Sequence, residues 1–171
     1  MKWFGAILVL TACTGFGLAF ADYQKRRLRA VQMLKKAIVL LRGQILYANA
    51  PLAEALWETG NRVEEKTGSF FRAVSERLEE GDGVSLKEIW EEELGKVQES
   101  WSLEKTELED FGQFGGELGY LDLAMQEKTL NLYLERLEMT ENLLQRGLDA
   151  KVKLSASLGL LSGIFLVIIL I

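Results

Sequence analysis

Two long uncharged apolar segments, one near each end of the sequence, constrain its fold more than any other feature. Residues 3–21 form a run of 19 residues without a charge, and residues 154–171 form a run of 18. As α-helices they would measure about 28 and 27 Å, close to the ~30 Å hydrocarbon core of a bilayer. The sequence therefore predicts transmembrane helices at 1–21 and 154–171, on either side of a charged middle domain at 22–153.

The first apolar segment also has one feature of a cleavable signal, because the four residues that end at Cys13 read Leu-Thr-Ala-Cys, like a lipoprotein cleavage box. The apolar run continues for eight residues past Cys13, however, and only Lys2 supplies positive charge before it. A permanent helix is the favoured interpretation, and processing at Cys13 is the alternative.

Basic residues flank both apolar segments on the side of the middle domain. Arg26, Arg27 and Arg29 follow the first segment, and Lys151 and Lys153 precede the second. Because Lys and Arg beside a span stay on the cytoplasmic side, both flanks predict a cytosolic middle domain with the two chain ends on the far face. Small residues in the second segment would let another helix approach closely. They are Ser157, Gly159, Ser162 and Gly163.

The composition excludes several classes of function. The chain has no His, and its only Cys lies in the first apolar segment, so the commonest proton shuttle and metal ligand are absent. All 25 acidic residues but only 19 of the 20 basic ones lie in the middle domain, since Lys2 precedes it, and an acidic domain is unsuited to nucleic acid. The adjacent Glu91, Glu92 and Glu93 point in different directions on a helix, which favours a solvated face over a metal site. We expect no enzyme activity and no cofactor; a hydrolase that uses carboxylates is the least favoured alternative.

Apolar residues recur every three or four positions through the middle domain, a period that predicts helices throughout. The chain should break before Pro51, which suits the first turn of a new helix, and Ser85 with Glu88 has the spacing of a capping box. The glycine-rich stretch 112–119 lacks the order of a phosphate-binding loop and is interpreted as a helix junction. The predicted helices are residues 22–48, continuing from the first span, 51–59, 64–80, 86–100, 103–115 and 122–171.

Two further sets of residues are assigned to the core of this bundle. The first is the apolar stripe of the first helix, which begins at Leu28 and ends at Ala48. The second is a set of aromatic residues whose neighbourhoods are acidic, so that core packing is favoured over stacking on nucleic-acid bases. These are Trp57, Phe70, Phe71, Trp90, Trp101 and Phe114.

Three stretches, residues 45–55, residues 111–119 with their Phe-Gly-x-x-Leu-Gly ending, and residues 157–163, match a known family. With them the chain resembles the stage III sporulation protein AB family of endospore-forming bacteria over nearly its whole length. That family is similar to the F domain of inner-membrane platform proteins in type II secretion and type IV pilus machines. The F domain is a cytoplasmic six-helix bundle, so the resemblance implies an all-α fold of about six helices flanked by two transmembrane helices.

The resemblance also implies a function. It points to a non-enzymatic platform or scaffold of a secretion-like complex between mother cell and forespore, located in the outer forespore membrane with the middle domain facing the mother-cell cytoplasm. The expected partners are a secretion-type ATPase, other stage III sporulation membrane proteins and further copies of the chain. A regulatory membrane subunit of the ATPase is the alternative, and it would stimulate the ATPase even without its spans.

Platform proteins usually carry two such domains and three spans. The resemblance therefore supports the fold more directly than it supports a role for individual residues. Related Pro-Leu and Gly-Glu patterns in that family match Pro51, Leu52, Glu54, Gly116 and Glu117, for which helix starts and close helix packing are at least as good an explanation as partner contact. With Tyr47 and Gly119, these residues form the set of candidate partner-binding or helix-junction residues.

Overall fold

The computed structural model describes the backbone of residues 2–81, 83–119 and 122–170, and the side chains of residues 22–64, 66–81, 83–119 and 122–148. Within these residues the fold is all-α, with six α-helices, one short 3₁₀ turn and no strand. The helices are α1 (Lys2–Leu46), α2 (Leu52–Arg62), α3 (Glu65–Glu80), α4 (Leu86–Val97), α5 (Lys105–Leu118) and α6 (Leu123–Leu170), and the 3₁₀ turn is Gln98–Ser100.

The chain divides into two compact units. Unit 1 comprises Met1–Leu28 and Asn142–Ile171, and unit 2 is Arg29–Glu141. In the described part of the chain, no helix is both long enough and apolar enough to cross a bilayer. The predicted spans lie outside the residues whose side chains are described and stay predictions. So do the predicted roles of Lys151, Lys153, Ser157, Gly159, Ser162 and Gly163.

Helix α1 buries the predicted apolar stripe in unit 2. Val31, Leu34, Ile38, Leu41 and Ile45 are all buried. The two ends of the stripe differ from the prediction: Leu28 is half-buried, and Ala48 is exposed because the helix already stops at Leu46. The predicted break is confirmed, and the chain turns through Asn49, whose φ is +50°.

A tight crossing joins α2 to α3. Gly60 and Gly68 face each other there, and a Cβ on Gly68 would lie 2.3 Å from the Gly60 carbonyl oxygen, too close for any side chain. Ser75 Oγ donates to the Ala53 carbonyl at 2.7 Å, and Arg72 Nη1 donates to the Gly60 carbonyl at 2.7 Å. These bonds place the start of α2 beside the end of α3, so the two helices are antiparallel.

An aromatic cluster between α3, α4 and α5 forms the centre of unit 2. Trp90 packs edge-on against Phe70, with ring centroids 5.0 Å apart, and its Nε1 donates to the Phe111 carbonyl at 3.1 Å. Phe70, Phe71, Trp90 and Phe114 are buried as predicted. Trp101 is half-buried at the edge of the cluster.

Trp57 corrects the aromatic prediction, because it is 39% exposed on α2 rather than in the core. Its neighbours Ala55 and Leu56 supply the buried face of that short helix, which leaves no room for Trp57 on the same side. Helical surroundings alone therefore do not place an aromatic residue in the core.

The interpretation of residues 112–119 as a helix junction is wrong for most of that stretch. Helix α5 continues to Leu118, three residues past its predicted end, so Gly112, Gly115 and Gly116 are helical. A Cβ on Gly115 would lie 2.1 Å from Cδ2 of Trp90, which shows that the glycine makes space for the indole ring. The glycines thus serve close packing of α5 on α4.

The acidic run on α4 also differs from its prediction as a fully solvated face. Glu91 and Glu92 are exposed, but Glu93 is only 6% exposed. Its Oε1 lies 3.3 Å from Arg77 Nη1 and 2.6 Å from Lys96 Nζ. Because both cations compensate the buried charge, the three residues tie α3 to α4.

The capping box of α4 is confirmed. Glu88 N donates to Ser85 Oγ at 3.3 Å, and Ser85 N donates to Glu88 Oε2 at 3.1 Å. At the start of α6, Met125 N similarly donates to Asp122 Oδ1 at 2.8 Å. Both helices therefore begin where polar side chains satisfy free backbone N–H groups.

Helices α1 and α6 are antiparallel within unit 2. Arg42 Nη1 donates to Asn131 Oδ1 at 2.8 Å, and Lys35 Nζ donates to Glu141 Oε2 at 3.0 Å. The end of α1 therefore lies at the same end of unit 2 as the start of α6. On α6, Leu130, Leu134, Leu137 and Leu144 are buried, while Leu148 is half-buried.

Candidate docking surface

Three interhelical connections converge at one end of unit 2, which we call the loop end. They are the α1–α2 loop at residues 47–51, the α3–α4 connection that carries Gly81 and Gly83, and the α5–α6 connection, which follows Gly119 and ends at Asp122. Helices α4 and α5 are antiparallel, because Gly119, just after α5, packs on Leu86 at the start of α4, while Gly112 within α5 packs on Leu94 near the end of α4. The start of α4 therefore lies beside the end of α5.

Large apolar side chains are exposed at the loop end. Tyr47 is 81% exposed on the α1–α2 loop, and Leu123 and Met125 are 51% and 55% exposed at the start of α6. Val84, before α4, is 37% exposed. Exposed apolar groups gathered at one place, rather than scattered singly, are typical of a surface that binds a partner.

The charged side chains at the loop end are mostly acidic, and we call them the acidic rim. Among the described residues of 47–54, 79–88 and 116–125, the only basic side chain is Lys87, and every charged side chain is exposed. The acidic residues are Glu54, Glu79, Glu80, Glu88, Glu117 and Asp122. A partner surface that combines apolar and basic side chains would complement the apolar and acidic side chains of the loop end.

The structure brings all seven candidate partner-binding residues to this end of unit 2. Tyr47, Pro51 and Glu54 are exposed and Leu52 is half-buried on the α1–α2 side. Glu117 is exposed and accepts a hydrogen bond from Gln113 Nε2 at 3.0 Å. The remaining two pack against α4, where a Cβ on Gly116 would lie 3.2 Å from Lys87 Cγ and one on Gly119 3.0 Å from Leu86 Cβ.

The sequence patterns did not predict three exposed apolar residues of the loop end, namely Val84, Leu123 and Met125. A signal for one of them exists, because the buried positions of α6 are Leu130, Tyr133, Leu134 and Leu137. Met125 falls outside the face that continues this register towards the start of the helix, whereas Leu123, seven residues before Leu130, falls on it. Large apolar residues off the core face of an amphipathic helix are candidates for a binding surface.

The described residues offer little for small-molecule chemistry. They contain no group of three or more acidic, His or Cys side chains that could hold a metal ion. A pocket of about 50 Å³ opens between α5 and α6, enough for on the order of one or two water molecules. Tyr133 lines it, and burial, followed by the charges of Asp110 and Glu107, raises the pKa of its phenol well above the usual value. The phenol therefore stays neutral at ordinary pH.

One ion pair gives the packing of α1 on α6 a pH dependence. Hydrogen bonds from Gln32 and then from Lys35 lower the pKa of Glu141 from its ordinary value. A lowered pKa in the folded state stabilises the protein above the unfolded-state pKa, and this contribution is lost as the pH falls through the folded-state pKa.

We expect Glu141→Gln to lower the free energy of unfolding by about 0.5–1 kcal/mol at pH 7, as for a partly exposed ion pair. Thermal unfolding of both proteins at pH 7, 5, 4 and 3 checks it, because the difference should shrink below about pH 4; a difference independent of pH would contradict the assignment.

Comparison with known proteins places this fold in a family. A sequence profile described as Stage III sporulation protein AB matches residues 2–171. The chain belongs to the stage III sporulation protein AB family. Stage III sporulation protein AB of Bacillus subtilis (strain 168) is 32% identical over 170 residues, which are 99% of this chain and 99% of that one. A solved structure of Stage III sporulation protein AB is also similar, with a TM-score of 0.66 and 32% identity over 72% of this chain and 97% of the other.

Membership in the stage III sporulation protein AB family confirms the resemblance found in the sequence and supports a role in sporulation. The family is named for a stage of sporulation and not for a catalysed reaction. Together with the solved relative, it also supports the all-α fold of the described residues.

Proposed function

We propose that this chain is a non-enzymatic membrane platform of a secretion-like complex in sporulation, and that its loop end docks a cytosolic secretion-type ATPase. The observation that carries the proposal is that Tyr47, Leu123 and Met125 are exposed at the end of unit 2 that also carries the acidic rim. The apolar area of such a surface is removed from water only when a partner covers it. A docking role uses this feature directly, whereas a catalytic role leaves it unexplained.

The membrane part of the proposal is supported by the sequence. The uncharged runs 3–21 and 154–171 have the length of a span, and basic residues flank both on the side of the middle domain. We place the chain in the outer forespore membrane with unit 2 in the mother-cell cytoplasm. Small residues from Ser157 to Gly163 would then pack against other stage III sporulation membrane proteins.

The direction of the helices suits this arrangement. Unit 2 joins the rest of the chain through Arg29 and Glu141, whereas Leu46 and Leu123 lie at its loop end. From Arg29 to Leu46 a helix rises about 25 Å. Unit 2 would therefore hold its docking surface away from the point where the chain enters it, within reach of a cytosolic partner.

Site-specific photo-crosslinking in sporulating cells tests the proposal. A photoreactive phenylalanine analogue replaces Tyr47 at the loop end, and in a second strain it replaces Lys66, an exposed residue at the start of α3 and so at the opposite end of unit 2. We expect the secretion-type ATPase to be captured from position 47 and not from position 66. Capture from both positions equally, or capture of no secretion component from position 47, would contradict docking at the loop end.

A further inference from the structure

The outward side of α1 carries positive charge without any negative charge. Between Arg29 and Leu46 this helix has four basic residues and no acidic one. Arg29 and Lys36 are exposed, and no ion pair ties either to another described residue. Val39 is 43% exposed beside them, and a Cβ on Gly43 would meet nothing within 4 Å. We call Arg29, Lys36, Val39 and Gly43, with the half-buried Met33, the α1 face.

The surface formed by α5 and α6 has the opposite character. Leu132 and Met139, one heptad apart on α6, are 49% and 57% exposed. Leu132 lines two neighbouring depressions, which together are lined by four acidic and two basic side chains. The acidic ones are Asp110, Glu117, Glu127 and Glu135, and the basic ones are Lys128 and Arg136. We call this surface the α6 groove.

The two surfaces differ in the sign of the net charge carried by the side chains that have no ion pair with another described residue. Arg136 Nη1 already lies 3.4 Å from Asp110 Oδ1, so this pair contributes little net charge. Glu127 and Glu135 have no ion pair with another described residue. With Asp110, Glu117, Glu127 and Glu135 against Lys128 and Arg136, the α6 groove therefore has a net negative charge beside Leu132, and the α1 face has positive charge beside Val39.

We propose that the α6 groove of one copy receives the α1 face of a second copy of this chain. Val39 and Leu132 would each be covered by the other copy, and Lys36 would meet Glu135 across the contact. Because the two surfaces differ, the contact joins unlike faces, the type of interface from which symmetric oligomers larger than a simple face-to-face pair are built. The charges favour unlike faces over like ones, since two α1 faces would repel each other.

The register of α1 and α6 within one copy supports this pairing. The Arg42–Asn131 and Lys35–Glu141 bonds place Lys36 at about the height of residue 138 along unit 2. Two copies that stand in the same direction at the same height, as the proposed membrane anchorage requires, bring Lys36 within about one helical turn of Glu135. Val39 then lies at a similar offset from Leu132. The direction of the second copy is the one part of this inference that rests on the proposed function.

Cysteine crosslinking of the full-length chain tests the pairing. In a background with Cys13→Ala, Val39→Cys and Leu132→Cys are placed in separate copies that carry different tags, are co-expressed, purified in mild detergent and oxidised. We expect a disulfide-linked dimer of unlike copies in at least fivefold higher yield than either variant gives alone. Equal yields from one variant alone, or no dimer of unlike copies, would overturn the proposal.

Charge reversal supplies an independent second readout. Lys36→Glu in the Val39→Cys copy should lower the yield of that dimer at least fivefold, and Glu135→Lys in the other copy should restore it. Lys66→Glu on α3, outside both surfaces, should leave the yield unchanged. A yield that falls equally with Lys66→Glu would show a non-specific effect of charge and overturn the pairing. Loss of ATPase docking would leave this crosslink intact, so the two proposals fail separately.

Discussion

Replacing Gly115 by Ala should destabilise the protein by about 2 kcal/mol or more, the cost of overpacking a filled core. The new Cβ would lie 2.1 Å from Cδ2 of Trp90, well inside van der Waals contact. The indole ring has little freedom to withdraw, since its Nε1 bonds to the Phe111 carbonyl and its centroid lies 5.0 Å from the ring centroids of both Phe70 and Phe111. Thermal unfolding of the full-length chain should show a midpoint lower by roughly 5–10 °C.

Gly112→Ala is the matched control for this prediction. It lies on the same helix three residues earlier, but a Cβ there would lie 3.6 Å from Leu94 Cδ2, an ordinary contact. Ala is better than Gly in a helix interior by up to about 1 kcal/mol, so we expect Gly112→Ala to be neutral or stabilising. Equal effects of the two substitutions would contradict the account of why α5 contains glycine.

The double substitution of Tyr47→Ser and Leu123→Ser should reduce the number of heat-resistant spores at least tenfold. Both side chains are exposed at the loop end, at 81% and 51%, so their loss should leave the fold intact. Truncating a residue at the centre of an interface costs about 2 kcal/mol or more when that residue is one of the few that carry most of the binding energy. Spore counts in a strain whose only copy of the gene carries the change provide the measurement.

Leu143→Ser serves as the control for the spore assay, because Leu143 is 69% exposed on α6 but belongs to unit 1 and not to the loop end of unit 2. It should leave spore counts near the unsubstituted level. Immunoblots must show equal amounts of each protein in the membrane fraction. Normal sporulation with the double substitution at equal protein level would count against the loop end as the docking surface.

Local signals in the sequence predicted the helices well. Pro51 and the Ser85–Glu88 capping box act through the nearest turn of the backbone, so their effects are readable from a few residues. The apolar stripe of α1 was predictable for the same reason, since the helical period alone brings Val31, Leu34 and Ile38 to one face.

The features that sequence patterns could not predict depend on what packs opposite. Glu93 is buried because Arg77 comes from another helix to compensate it, and no local pattern contains that partner. Gly115 lies inside a helix because Trp90 needs its space, although a run of glycines normally indicates a break. The candidate residues Tyr47 and Glu117 were found as separate patterns, and only antiparallel packing shows that they lie at one end of unit 2.

Binding of the purified full-length chain to the secretion-type ATPase tests the central claim most directly. The chain is held in mild detergent and titrated with the ATPase at low and high salt. We expect Tyr47→Ser with Leu123→Ser to weaken binding at least tenfold, Leu143→Ser to leave it unchanged, and added salt to weaken binding of the unsubstituted chain because the rim of the loop end is acidic. Equal affinity of the unsubstituted and doubly substituted chains would contradict the claim that the loop end docks the ATPase.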